Sequence, residues 1–209
     1  MEIGSWVQIE FKNESIATHH ISNSCGVKTD FKTFMTFGGH NKDGEVLDTV
    51  LTFNLETEEV KVNPPMKFAR TKLACVLIDK SKVLITGGTN KVGRIPQDEV
   101  FDLVRQYSTL STSSMITPRY DHSMALLGET VLAFGGRNSS GSEVQSVEMY
   151  NNGSWELHPN SLLSTSTAAL ATTLFPHSSL DCDVGCQCGG GLNTRIIGGM
   201  EAEVRPSPL

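Results

Sequence analysis

Phe34-Met35-Thr36-Phe37-Gly38-Gly39 is a short apolar run closed by a glycine doublet, and the chain repeats it as Val83-Leu84-Ile85-Thr86-Gly87-Gly88 and Val131-Leu132-Ala133-Phe134-Gly135-Gly136. The doublets lie 87 − 38 = 49 and 135 − 87 = 48 residues apart. β-Branched and aromatic residues suit a pleated, half-buried surface, so each run reads as a strand ending at its doublet. A second apolar run follows each doublet, at residues 50–53, 100–103 and 147–150. The stretches between, such as Asn41-Lys42-Asp43-Gly44 and Arg137-Asn138-Ser139-Ser140-Gly141, are polar and turn-forming. Residues 73–78 and 123–127 supply a strand upstream of the second and third doublets. A further segment carries Trp, as Ser154-Trp155-Glu156-Leu157, with Ser5-Trp6-Val7-Gln8 its counterpart near the start.

Four short strands in a unit of about 50 residues cannot bury both faces of their own sheet, so such units stack as blades around a central axis. Where inner strands crowd together, a residue without Cβ permits close backbone approach and positive φ, which gives the doublets a physical role.

These units resemble kelch repeats. The family's sequence of a glycine doublet, a later aromatic residue, a Trp and a Pro/Met-x-x-x-Arg segment is matched by Gly87-Gly88, Phe101, Pro118 and Arg119, by Gly38-Gly39, Phe53, Met66 and Arg70, and by Gly135-Gly136, Tyr150 and Trp155. The first two units lack the Trp and carry residues 60–62 and Gln106-Tyr107 in its place. The resemblance covers residues 1–175 and implies an all-β fold: an incomplete kelch-type β-propeller of about three four-stranded blades. It also implies a protein partner held by the blade-connecting loops, of which residues 41–45, 90–97 and 137–143 are the polar insertions at equivalent places. Three blades cannot close a ring. The expectation is therefore a fragment, or an open array with exposed outer edges.

The chain has 209 residues, a net charge of −6, 38% hydrophobic and 19% charged residues. That composition suits one or two all-β domains and argues against a nucleic-acid surface, since no Lys/Arg cluster overrides the acidic average. The weakly polar stretch 162–175 is shorter than the roughly 20 residues a membrane span requires, and reads instead as the opening strand of a following blade. Met1-Glu2-Ile3-Gly4-Ser5-Trp6 has neither the basic nor the apolar region of a signal peptide. It begins inside a blade segment, which favours a missing true start over a cytoplasmic protein.

Cys25 and Cys75 lie 13 and 12 residues before their doublets. They are read as separate buried thiols on equivalent strands, in preference to a disulfide, because neighbouring blades need not bring such positions within the bridging limit of about 7 Å. Cys182, Cys186 and Cys188 follow the repeats; their spacing lacks a Cys-x2-Cys knuckle and a fourth ligand, so an oxidised linker is favoured over zinc. His122 falls within the repeat pattern and is read as structural, His19-His20 as a solvated turn. No residue is assigned to catalysis, a metal or a cofactor.

Cys188-Gly189-Gly190-Gly191-Leu192-Asn193-Thr194-Arg195-Ile196-Ile197-Gly198-Gly199-Met200-Glu201-Ala202-Glu203 carries a second pattern. It resembles the activation junction of chymotrypsin-like (trypsin-type) serine protease zymogens. By average residue frequencies, Arg-Ile-Ile/Val-Gly-Gly should occur by chance in about three of ten thousand chains of this length. The resemblance implies cleavage by a trypsin-like protease between Arg195 and Ile196, after which the new Ile196 α-amino group inserts against a carboxylate beside the nucleophilic Ser. It also implies that Cys188 bridges to the protease domain. The family's catalytic His, Asp and Ser lie downstream of the junction, and no Gly-Asp-Ser-Gly-Gly occurs here. The expected organisation is blades over 1–175, a Cys/Gly-rich linker over 176–195 and a truncated protease start over 196–209, with a disordered tail.

Two functional classes are compatible with these patterns. One is the non-catalytic recognition region of a secreted mosaic serine protease, with Asn13, Asn138 and Asn152 as possible glycosylation acceptors. The other is an intracellular kelch adaptor unrelated to proteases.

Overall fold

The computed structural model describes residues 11–12, 21–162, 171–175 and 193–197, with backbone only for 159–162 and the last two segments. Three four-stranded antiparallel sheets follow one another along the chain. The first holds β1 (Cys25–Lys28), β2 (Thr33–Phe37), β3 (Val50–Asn54) and β4 (Glu59–Asn63). The second holds β5 (Ala74–Asp79), β6 (Lys82–Thr86), β7 (Glu99–Asp102) and β8 (Tyr107–Leu110). The third holds β9 (Ser123–Leu127), β10 (Thr130–Phe134), β11 (Ser146–Asn151) and β12 (Ser154–Leu162). Each sheet is a simple meander, and each doublet ends its second strand. A two-stranded pair, β13 (Ala171–Phe175) and β14 (Asn193–Ile197), completes the described elements.

The first strands adjoin in series, β1 beside β5, β5 beside β9 and β9 beside β13. This is blade-on-blade stacking, and the fold is that of a kelch-type propeller with three complete blades among the described residues. β13 falls inside the stretch expected to open the next blade.

The core lies between blades. Val83, Leu84 and Ile85 on β6 are all fully buried, because a central sheet has a neighbour on each face. Alternation along the strand divides them: Val83 and Ile85 join Val27, Met35, Phe37, Val50 and Phe101 toward the first blade, whereas Leu84 joins Met124, Val131, Ala133 and Trp155 toward the third. Phe37 and Phe101 meet edge to face at 5.6 Å between centroids. Burying one such side chain contributes about 1.5–3 kcal/mol, so the interfaces supply much of the stability.

The doublets do what close approach demands. Gly38 and Gly87 sit at φ of +59° and +58°, and a Cβ on either would stand 2.3 Å from a backbone oxygen, that of Arg70 or Arg119 in the connection to the next blade. No side chain fits there.

One sequence expectation is overturned. Cys25 and Cys75 form a disulfide, with Cα atoms 5.8 Å apart. The reason is a one-residue offset. Cys25 pairs with Phe37, the residue directly before its doublet, but Ala74 holds the equivalent place opposite Thr86, and Cys75 pairs with Ile85. A shift of one turns a strand residue to the other face of its sheet. Cys75 therefore faces the first blade across the β1–β5 contact, within bridging range.

The expected tail meets the described residues only at Asn193–Ile197, which pair with β13. Trp6, Asn13, His19-His20, Cys182, Cys186 and Cys188 lie outside the described residues.

Candidate functional site

Two buried arginines fix the geometry from which the connecting loops project. Arg70 and Arg119 are fully buried, which lowers their pKa values through desolvation, opposed chiefly by Glu99 for Arg70 and by Glu148 for Arg119. Arg70 donates to the carbonyls of Gly87 (2.9 Å) and Gln97 (3.1 Å) and pairs with Glu99 at 2.7 Å. Arg119 repeats this one blade later, donating to the carbonyls of Gly135 (3.2 Å) and Ser146 (3.0 Å) and pairing with Glu148. Each glutamate also accepts backbone N–H groups of the preceding connection: Lys67 and Phe68 donate to Glu99, Ile116 and Thr117 to Glu148. The charges are thus paired and hydrogen-bonded inside the protein, the condition under which a buried ion pair is tolerated. The glutamates escaped the sequence reading, although both lie 29 residues after their arginines.

The three segments expected to face a partner are built alike. Asn41, Asn90 and Asn138 each stand two residues after a doublet and use the side-chain carbonyl to close the loop, a turn that Asn favours for this reason. Asn41 Oδ1 accepts from the N–H groups of Asp43 (3.0 Å) and Glu45 (2.9 Å). Asn90 Oδ1 accepts from Val92 (2.9 Å) and Gly93 (3.2 Å). Asn138 Oδ1 accepts from Ser140 (3.0 Å) and Ser142 (3.1 Å), and from Ser140 Oγ at 2.7 Å. The glycosylation candidate Asn138 therefore holds its own loop together. Asn152 is instead exposed, at φ +48° in the turn between β11 and β12.

Between the first and second loops lies a cleft of about 430 Å³, lined by Glu45, Val46, Leu47, Ala69, Asn90, Lys91 and Val92. Val92, at the loop tip, is 96% exposed. Toward the third loop, Tyr120 is flanked by Arg94 (Cζ 4.9 Å from the ring centroid) and Lys72 (Nζ 5.5 Å), a cation–π arrangement. Lys72 also pairs with Asp121 at 2.9 Å and Arg137 with Glu143 at 3.1 Å. Asn23, Lys72 and Asp121, spaced 49 residues apart, share a left-handed backbone and are chained by hydrogen bonds from Lys72 N to Asn23 O (2.9 Å) and from Asp121 N to Lys72 O (3.0 Å). The three loops are thereby held at fixed intervals. The result is a polar, partly aromatic surface with an apolar-floored cleft.

The titratable groups in the interior are structural. His122 shares a hydrogen bond of 2.9 Å with Thr86 Oγ1, and burial, aided by Arg119, pushes its pKa down to about 3. It stays neutral at physiological pH. Asp98 is fully buried and takes the Trp155 indole N–H at 2.6 Å on Oδ2, while Oδ1 has no hydrogen-bond partner. Burial raises its pKa to about 7, with Glu148 adding to the rise and Trp155 and Arg70 opposing it. Among the described residues no group of three or more His, Cys, Asp or Glu could hold a metal. No helix of the described residues is long and apolar enough to cross a membrane.

Arg195 and Ile196, expected from the sequence to flank a cleavage site, lie opposite Thr173 and Thr172 in the β13–β14 pair.

Comparison with known proteins matches one of the three units to a known family. The model of the Kelch motif family matches residues 118–160, which run from Pro118 through Trp155. A solved structure titled "Structure of YjhT" superposes with a TM-score of 0.61 at 10% sequence identity, covering 73% of this chain and 55% of that one. The chain thus spans about half the length of that structure. No curated protein matches the sequence.

Proposed function

We propose that this chain is the protein-binding propeller region of a secreted serine protease zymogen, with Arg195–Ile196 as the activation bond and no catalytic group of its own. The Cys25–Cys75 disulfide carries the secreted part of this reading, because such bonds persist in oxidising compartments and are rare in the cytosol. Cys25 and Cys75 are thus not the free buried thiols that an intracellular protein would keep. Protein recognition falls to the loops closed by Asn41, Asn90 and Asn138, with the cleft beside Val92 taking an apolar side chain of the partner and Lys72, Arg94 and Tyr120 its polar flank. The activating enzyme is a trypsin-like protease acting at Arg195. Cys188 remains the residue to tether the cleaved halves, and Asn152, exposed in its turn, is the better of the described glycosylation candidates.

A second reading rests on one observation. In all three complete blades the residue before the doublet pairs with the opening residue of the first strand: Phe37 with Cys25, Thr86 with Ala74, Phe134 with Ser123. Ile197 precedes Gly198-Gly199 and pairs with Ala171 in the same register. By that measure the segment is the inner hairpin of a fourth blade in a kelch adaptor, and its protease-like sequence is coincidental.

Mass spectrometry of the chain purified without reductant from a secretory host separates the two. The zymogen reading expects Cys25–Cys75 and the 182–188 cluster oxidised, and limited trypsin to produce the terminus Ile196-Ile197-Gly198 ahead of other cuts. Free thiols throughout, with no preference for Arg195, would leave the adaptor.

A further inference from the structure

β14 (Asn193–Ile197) contains the Arg195–Ile196 bond, and every residue of β14 is paired with β13. β13 in turn lies beside β9, the first strand of the third blade. The link between β13 and β14 spans residues 176–192, or 192 − 175 = 17 residues, against 32 − 28 = 4, 81 − 79 = 2 and 129 − 127 = 2 in the three complete blades. The β13–β14 pair thus shares the register of the inner hairpins of the complete blades, with a longer stretch of sequence between its strands, in which Cys182, Cys186 and Cys188 fall.

We propose, resting on the activation reading of Arg195–Ile196, that the propeller itself masks this bond: docked as β14, the junction is a blade strand, and it becomes a substrate only when the strand leaves β13. A trypsin-like enzyme must draw the residues on both sides of the scissile bond into its cleft as a free extended segment. A bond held in a hairpin is cut through the fraction of molecules in which the hairpin is open, so the rate falls with that fraction. Hydrolysis then adds one water across the Arg195–Ile196 peptide, leaving a carboxylate on Arg195 and an α-amino group on Ile196. A partner that engages the propeller near β13 would thereby couple recognition to activation.

The test uses the whole chain and trypsin, with quantitative mass spectrometry of the Ile196 terminus. Cleavage at Arg105, in the exposed turn between β7 and β8, serves as internal control. A synthetic peptide of residues 188–203 gives the unmasked rate. The chain should be cut at Arg195 at least about tenfold more slowly than the peptide, as expected for a segment that must open first. Thr173→Pro, which removes a backbone donor opposite Arg195, should bring the rate to within about threefold of the peptide while the Arg105 rate stays unchanged. Equal rates for the unaltered chain and the peptide would overturn the masking and leave the activation reading standing. If Thr173→Pro also speeds cleavage at Arg105, unfolding is general, and amide hydrogen exchange over Asn193–Ile197 in the unaltered chain decides: protection comparable to β9 supports masking, and exchange at the peptide's rate refutes it. A released strand cut no faster than Arg105 would instead refute the activation reading.

Discussion

Replacing Asp98 by Asn should stabilise the protein at alkaline pH and do little in acid. The carboxyl is fully buried between the second and third blades, with Oδ2 held by Trp155 and Oδ1 facing no donor. Its charged surroundings are mixed in sign: Arg70, already paired with Glu99, and Glu148, already paired with Arg119. Its folded pKa of about 7 lies above the 3.8 of the free side chain. The folded state therefore binds the proton more tightly than the unfolded state. Stability is full below the unfolded value and is lost as pH rises toward 7, because folding must then keep a buried carboxylate or hold a proton against solution. About three pKa units correspond to a ceiling of about 4 kcal/mol, with about 2–3 kcal/mol of it appearing between about pH 5 and pH 8. His122 acts in the opposite sense, since its lowered pKa costs stability as pH falls from 6.5 toward 3. The two slopes partly cancel in the unaltered chain, so the informative quantity is the difference between it and Asp98→Asn. Asn keeps the shape and an oxygen for Trp155 but does not titrate. Urea unfolding followed by tryptophan fluorescence at a series of pH values measures that difference directly. It should grow in favour of the Asp98→Asn variant with rising pH and level off near pH 8. A difference that stays constant across this range would refute the reasoning.

Two further outcomes test the inter-blade framework. Arg119→Met strands Glu148 among buried atoms and should cost about 3–5 kcal/mol in unfolding free energy, whereas Arg119→Met combined with Glu148→Leu should recover only part of that loss, because the N–H groups of Ile116 and Thr117 then lack their acceptor. Gly87→Ala must place a Cβ 2.3 Å from the Arg119 carbonyl at φ +58°, while Gly128→Ala meets open space at φ +63°. Calorimetry should therefore show the first variant losing well over the roughly 1–2 kcal/mol of left-handed strain that the second incurs, and equal losses would mean the doublets do not set blade spacing.

The architecture was legible because its cause is local. A doublet is needed wherever one blade's second strand passes the backbone of the next connection, and that need recurs at the length of the unit, so Gly38, Gly87 and Gly135 mark the period in plain sight. The residues around them follow the pleat: 83–86 and 123–127 read as strands and are strands. The features that escaped depend on offsets or on distance. Cys25 and Cys75 differ by one position relative to their doublets, a difference too small to notice in spacing yet sufficient to turn one thiol toward the other. Trp155 and Asp98 are 57 residues apart and meet only because the third blade packs on the second. Glu99 and Glu148 had a usable signal, their common interval from Arg70 and Arg119, but the first blade breaks the series with Ile21 and Leu51 at the corresponding places. The loop asparagines were equally readable, since all three stand at the same remove from a doublet. They were hidden by their ordinariness, Asn being common in any turn.

The self-closure of these loops through Asn41, Asn90 and Asn138 separates tip from support. Because each asparagine satisfies its own turn and the left-handed ladder of Asn23, Lys72 and Asp121 sets the pitch below, the intervening residues carry almost no duty toward folding. Evolution, or an engineer, is free to rewrite them: the blades form a chassis on which new specificities are installed by exchanging a handful of side chains, with the frame left as it stands.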